Sequence, residues 1–287
     1  MARLYRSLLF VPGNNPRFLE KAKSSKSDIV CFDLEDSVPD SEKNTARALI
    51  KDALKSRASY SSSVYVRTNS PASGKIPDDL KEIIQKGLDG IVIPKVNNTA
   101  ELTKIIKIIQ TLEKKRKIQP VLVIPSIESA QGVYNTYDIA SCSKRIPAIV
   151  FGVFDLLNDL GIEYVKQPEG GKYSRAKIPL DARAAGISAI DAIWQDLKDL
   201  DGLKQDCFIG KSLGYAGKSI IHPDQIDIAH QIFAPNKSEI EWANKVCSVY
   251  ESSSKKGKGA TVVDGKMIDE VHYKQAKALL EMVKSSK

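Results

Sequence analysis

Short β-branched runs recur along the chain at residues 7–11, 29–33, 64–67, 90–94, 121–127, 148–151, 189–194 and 219–222. They are mostly apolar without alternation, the pattern of strands covered on both faces, as in a parallel sheet. Between them lie stretches of helical character. "PRFLEKAKS" follows the first run. "SEKNTARALIKDALKS" follows the second, with Ser41 placed as an N-cap, and "TAELTKIIKIIQTLEKKRK" follows the fourth, with Thr99 capping and Glu101 in the first turn. "SRAKIPLDARAAGISA" precedes the seventh. Eight strands alternating with helices over about 230 residues predict a (β/α)8 TIM barrel. An open doubly wound sheet is the alternative, but no Gly-x-Gly-x-x-Gly follows a first strand.

After Pro235 the character changes. A helix, a Ser/Lys/Gly linker, a hairpin turning at Asp264-Gly265 and an amphipathic helix over about 271–283 are predicted in turn. The expected organisation is a catalytic barrel over 1–235 and a C-terminal helix–hairpin–helix extension over 236–287.

Composition narrows the class. Apolar residues make up 42% and charged residues 27% of the 287 residues, ordinary for a globular protein. No run of about 18 apolar residues is present, so no membrane-spanning helix is expected. The net charge of +8 suits an anionic ligand as well as plain solubility. Neither a zinc finger nor an aromatic–basic RNA signature is present, which argues against nucleic acid. Cys31, Cys142, Cys207 and Cys247 are widely spaced with no Cys-x-x-Cys pair, reading as reduced, mostly buried thiols. The amino terminus enters a strand almost at once, leaving no signal peptide, and a cytoplasmic location is the expectation.

Active sites of such barrels lie at the C-terminal ends of the strands. Those ends read "FVPGNN", "DLED", "VRTN", "IPK", "IPSIES", "VFGVFD" and "IIHP". They collect carboxylates and cations: Asp33, Glu35, Asp36, Arg67, Lys95, Glu128 and Asp155. Hard oxygen donors from separate strands, with waters completing the shell, are how proteins hold Mg²⁺, and Glu128 and Asp155 are the expected pair. With only three histidines in the chain, a multi-histidine zinc or iron site is disfavoured. A divalent cation would offset the mutual repulsion of Asp33, Glu35 and Asp36, and Arg67 would neutralise one more. The blander alternatives are that Glu35 and Asp36 cap the following helix, that Lys95 only pairs with a carboxylate, that His222 fixes a loop, and that Asp159 is a helix-surface charge. "FVPGNN" is either a tight turn or an anion-receiving loop with exposed amides.

In order along the chain, "RSLLFVPGNN", "DLEDSV", "VRTNS", "IPKV", "IPSIESAQG", "VFGVFDL" and "KSIIHPDQI" resemble the citrate lyase β-subunit-like family, including malyl-CoA and citramalyl-CoA lyases. The tail "GKGATVVDGKMIDEVHYKQA" is similar to the end of the stand-alone lyases. The resemblance implies a (β/α)8 barrel assembling as a homotrimer or dimer of trimers, a CoA-thioester substrate, and Mg²⁺ held by Glu128 and Asp155. It implies that Arg67 contacts the thioester oxygen or a substrate carboxylate, supported by Glu35 and Asp36. Phe10, Arg17, Lys21, Ile221 and His222 would lie along the coenzyme A and its thioester arm. Asp269 would enter a neighbouring subunit's site as general acid. The implied reaction cleaves a 3-hydroxyacyl-CoA, citramalyl-CoA or malyl-CoA, to acetyl-CoA and pyruvate or glyoxylate, with synthase or thioesterase activity as an accompaniment. Two departures stand out: Glu270 replaces the family's proline after "MID", and Val153-Phe154 precedes Asp155 where a small or acidic residue is usual.

Three other functions fit the same residues. One is a citrate lyase β subunit acting on citryl-acyl carrier protein, against which the complete acid-bearing tail argues. Another is a CoA-independent metal aldolase of 2-oxo acids, which would leave Arg17 and Lys21 without a phosphate. The last is a non-catalytic scaffold barrel, against which the full set of carboxylates and the arginine argues.

Overall fold

The computed structural model describes residues 4–163, 169–255 and 257–285. Eight parallel strands close into a barrel in chain order: β1 (Ser7–Pro12), β2 (Ile29–Asp33), β3 (Ser63–Arg67), β4 (Gly90–Ile93), β5 (Leu122–Ile127), β6 (Ala148–Phe151), β7 (Ser188–Asp191) and β8 (Gly217–Ile220). Their helices are α1 (Pro16–Lys21), α2 (Lys43–Lys55), α3 (Ile76–Ile83), α4 (Thr99–Arg116), α5 (Ala130–Tyr134), α6 (Thr136–Ser141), α7 (Val153–Asp159), α8 (Glu169–Ala184), α9 (Leu200–Leu213) and α10 (Ile226–Phe233). The (β/α)8 expectation therefore holds. No helix among the described residues is long and apolar enough to cross a membrane.

The ring closes because every second strand residue fills it. Leu8, Ile29, Cys31, Tyr65, Val92 and Ile124 belong to one buried cluster inside the barrel. Gly90 makes room for the Tyr65 ring, with which any Cβ at this position would collide. The same period of two carries upward: Asp33 stands two residues above Cys31, Arg67 two above Tyr65, and the pair share one register, Asp33 opposite Arg67. Polar groups thus appear where the apolar filling stops, at the C-terminal mouth.

Four local expectations need correction. Ser41 does not cap α2; it lies in a 3-10 turn, Asp40–Glu42, that leads into the helix. Thr99 is the first helical residue of α4, and Asn98 caps it by accepting from the Glu101 amide at 2.9 Å. β7 stops at Asp191 because its ladder to β8 pairs only Ile190 with Gly217 and Asp191 with Lys218. β8 starts two residues earlier than expected and ends before Ile221 and His222. Of the thiols, none is paired; Cys31 and Cys207 are buried, and Cys142 and Cys247 are half-buried.

The barrel's outer wall carries a second polar cluster. Lys218 is fully buried on β8 and faces Asp191, at 3.1 Å, and Asp206 of α9. Arg175 of α8 joins the same two carboxylates. Two cations and two anions satisfy one another where an unpaired charge would be prohibitive.

Tyr5–His230 form one compact unit, and the residues from Gln231 onward belong to a second. The second unit contains α11 (Lys237–Ser254), an antiparallel hairpin of β9 (Ala260–Val263) and β10 (Lys266–Asp269), and α12 (Glu270–Ser285). Asn236 and Glu239 form a reciprocal capping box at the start of α11. The hairpin turns at Asp264 and Gly265, whose φ values of 47° and 77° are the positive pair that a two-residue turn of this hand needs. Val246, Val263, Ile268 and Ala276 form its small core.

Candidate active site

Arg67 organises the mouth of the barrel. Its guanidinium grips Asp33 with two parallel hydrogen bonds, Nε to Oδ1 at 2.6 Å and Nη2 to Oδ2 at 2.7 Å. Nη1 lies 3.3 Å from Glu35 and 3.4 Å from Asp36. The cation also sits 4.6 Å from the centroid of the Phe10 ring. Burial alone would raise the Asp33 carboxyl, but the Arg67 charge and hydrogen bonds overcome it and hold it at about 2. Asp33 also accepts from the Glu35 amide and from the Ser37 amide and hydroxyl. Asp33 is therefore the anchor of Arg67, and the offset its charge meets within the chain is a guanidinium.

Glu35 lies deeper. Burial pushes its carboxyl up to about 8; Arg67 opposes the shift, while Glu128 and Asp36 add to it. Its Oε2 has no hydrogen-bond partner among the described residues. Lys95 faces the same cluster, with Nζ 3.0 Å from Glu35, 3.5 Å from Asp36 and 3.2 Å from Asp155. Its backbone is left-handed, φ 54°, a strained setting for a non-glycine residue. Burial would lower its pKa; Glu35, Asp36 and Asp155 outweigh that and raise it.

Glu128 follows β5, and Asp155 sits in the first turn of α7. Both line one cavity of about 420 Å³ together with Arg67, Asp36, Phe10 and Ile221. The convergence expected of these two carboxylates is thus present at one mouth. Glu128 is buried, which raises its carboxyl. Gly152 is required beside it: a Cβ there would collide with Glu128 Cγ and come within 3.1 Å of Oε1. Two carboxylates in a cradle left open by a glycine fit Mg²⁺, which takes few protein oxygens and leaves the rest to water and substrate. Among the described residues no cluster of three or more His, Cys, Asp or Glu side chains suits a metal.

The other expected residues divide. Asn15 accepts from the amides of Arg17 and Phe18, and the Gly13 amide goes to the Asp33 carbonyl. The Gly13 amide of "FVPGNN" is thus taken, and the side chains of Arg17 and Lys21 stand exposed on α1. His222 accepts from the Asp224 amide at 3.3 Å and caps a 3-10 turn, while Gln225 holds the Ile221 amide at 2.9 Å. His222 fixes its loop, and Ile221 borders the cavity. Asp159 accepts from the Ala130 amide at 2.8 Å. Asp269 stands at the end of β10, accepts from the Val271 and His272 amides at the start of α12, and lies 2.6 Å from His272 Nδ1. The His272 hydrogen bond lowers its carboxyl below the ordinary range.

Several positioning groups have no signature in the sequence. Lys43 is buried and donates to the Leu34 and Glu35 carbonyls at 2.6 and 2.7 Å, clamping the acidic loop from below. Asp79 is fully buried and holds Asn69 and Arg47, fixing the loop that follows Arg67. The invariable signal for such roles is a partner distant in sequence, which a linear reading does not display.

Comparison with known proteins agrees with this architecture. The sequence profile of the HpcH/HpaI aldolase/citrate lyase family matches residues 6–223. The (3S)-malyl-CoA thioesterase of Cereibacter sphaeroides is 34% identical over 279 residues, covering 97% of this chain and 94% of its own. The citrate lyase subunit beta of Leuconostoc mesenteroides subsp. cremoris is 33% identical, covering 99% of this chain and 95% of its own. The presence of the tail therefore does not separate these two relatives. CitE from Mycobacterium tuberculosis, solved in complex with magnesium, acetoacetate and coenzyme A, superposes with a TM-score of 0.80 at 25% identity, covering 98% of this chain and 99% of that one. A citrate lyase from Burkholderia xenovorans shares the fold, with a TM-score of 0.87 at 18% identity, covering 98% and 92% of the two chains.

Proposed function

The chain belongs to the HpcH/HpaI aldolase/citrate lyase family, and on that footing we propose a Mg²⁺-dependent carbon–carbon lyase that cleaves a 3-hydroxyacyl-CoA thioester to acetyl-CoA and a 2-oxo acid. The observation that carries the reading is the convergence of Glu128, Asp155, Asp36 and Arg67 on one cavity. Glu128 and Asp155 would hold Mg²⁺, which supplies Lewis-acid and template chemistry toward the substrate's carboxylate and hydroxyl. The relative solved with magnesium and coenzyme A supports both ligands.

Arg67 is locked by Asp33 and presents a fixed positive charge to the thioester oxygen as the carbon–carbon bond breaks and an enolate forms. Such preorganised stabilisation is worth about 3–4 kcal/mol at comparable sites. Asp36 borders the cavity, and we assign it the hydroxyl proton; Lys95 and Arg67 hold Asp36 in place, and Glu35 lies against Arg67. Arg17 and Lys21, exposed on α1, would meet the CoA phosphates, with Phe10, Ile221 and His222 along the thioester arm. Asp269 of a neighbouring copy would give its proton to the enolate carbon as general acid, which makes the extension a contributor to another subunit's site in a homotrimer or dimer of trimers.

The substrates we favour are malyl-CoA and citramalyl-CoA, and citryl-CoA enters the test because the citrate lyase relative is almost as similar. Acetyl-CoA release is measured from each thioester with and without Mg²⁺. Release that requires the metal supports the lyase; no release from any of the three removes it.

A further inference from the structure

The cavity has two unlike arcs. Strands β2 to β5 and their loops bring Asp33, Asp36, Arg67 and Glu128, while β6, β7, β8 and β1 bring Val150, Phe151, Ile193, Ile221 and Phe10, with Asp155 on the helix that follows β6. On the strands of that second arc one hydroxyl lies among the apolar side chains. Ser219 of β8 is 1% exposed, lines the cavity, and its Oγ has no hydrogen-bond partner among the described residues. Its backbone sits in register opposite Leu8, so strand pairing fixes its height inside the ring.

A buried hydroxyl left unpaired costs free energy, and natural folds rarely retain one without a use. An apolar side chain would complete this arc without that cost. From this contrast we propose that Ser219 is a substrate-contacting, specificity-determining residue that donates a hydrogen bond to an acceptor oxygen of the acyl substrate. The inference rests on the lyase reading above and names the point at which that site reads polarity on its apolar side. The acceptor is either a carboxylate oxygen of the 2-oxo-acid fragment or the carbonyl oxygen of the thioester; the chemistry is shared, and the two sources are separable. A substrate placing only carbon against Ser219 leaves the hydroxyl unpaired and is rejected, the form of discrimination that hydrogen-bonding sites achieve best.

The test compares Ser219→Thr with Ser219→Val, which have the same shape and differ by one hydroxyl. Folding of both is checked by thermal melting. Glyoxylate, pyruvate and oxaloacetate binding with Mg²⁺, and acetyl-CoA binding, are measured by calorimetry. The valine variant should bind one ligand class about ten- to a hundredfold more weakly than the threonine variant. Loss confined to the 2-oxo acids assigns the carboxylate; loss confined to acetyl-CoA assigns the thioester carbonyl. Equal affinities of the two variants for all four ligands, with wild-type protein binding them, overturn the role of Ser219 alone. Wild-type protein that binds none of them overturns the lyase reading and this inference together.

Discussion

Lys95 holds its ammonium 3.2 Å from the carboxylate of Asp155 and 3.0 Å from that of Glu35. The lysine thus stands as a fixed monovalent charge beside the place proposed for a divalent one. Binding of Mg²⁺ to Asp155 has to compete with that pairing. Lys95→Met should therefore lower the melting temperature of the metal-free protein and increase Mg²⁺ affinity by roughly fivefold, the scale of about 1 kcal/mol for a partly exposed pair. Melting curves across a Mg²⁺ titration read both effects. A variant with unchanged Mg²⁺ affinity would show that Lys95 and the metal do not share Asp155.

Gly152 tests the cradle from the other side. Gly152→Ala places a methyl group against Glu128 Cγ. The fold should survive, since the collision is with a side chain at the rim. Mg²⁺ affinity and acetyl-CoA release should both fall by at least about tenfold, because catalytic geometry tolerates little displacement. Full activity in this variant would mean that Glu128 need not occupy its present position.

Proton release should accompany metal binding. Burial raises the Glu128 carboxyl and lifts that of Glu35 to about 8 from an ordinary 4.5. In the metal-free fold these groups keep protons that the unfolded chain has already lost near pH 4.5. Their contribution to stability is complete below that pH and disappears as pH rises through about 8. A metal ligand has to be deprotonated, so Mg²⁺ affinity runs the opposite way and increases with pH, by up to about tenfold per unit for one released proton. Calorimetry in buffers of different ionisation enthalpy measures the proton directly. Buffer-independent heats at pH 6 would contradict the assignment.

Asp269 and His272 form a pair at 2.6 Å, and that pair favours the ionised carboxylate. Asp269→Asn should keep Mg²⁺ and CoA binding while lowering turnover about 10²–10⁴-fold, the usual scale for a general acid or base. His272→Ala removes the hydrogen bond that lowers the carboxyl, so the alkaline limb of the rate profile, where the acid loses its proton, should move toward higher pH. Unchanged turnover in the asparagine variant would remove Asp269 from the chemistry.

Most of the barrel was legible because strands buried on both faces write themselves as continuous β-branched runs. The ladder ends were less so. Ile193 and Ile221 continue the apolar pattern past β7 and β8 because they line the cavity instead of pairing with a neighbouring strand, and Ala192 and Trp194 continue it because they too are buried. The start of β8 was hidden by Gly217 and Lys218: a lysine reads as surface until Asp191, Asp206 and Arg175 are seen around it. The meeting of Arg67, Glu128 and Asp155 at one mouth was readable because each ends or follows a barrel strand on the same face. Gly152 and Ser219 were not, since their roles depend on the space beside Glu128 and on an unanswered hydroxyl.

The quartet of Lys218, Arg175, Asp191 and Asp206 sums to zero charge. Exchange of any one member strands an ion in the wall between β8 and the α8–α9 layer. The four side chains therefore act as one unit, and a single replacement there weighs on the whole of that wall.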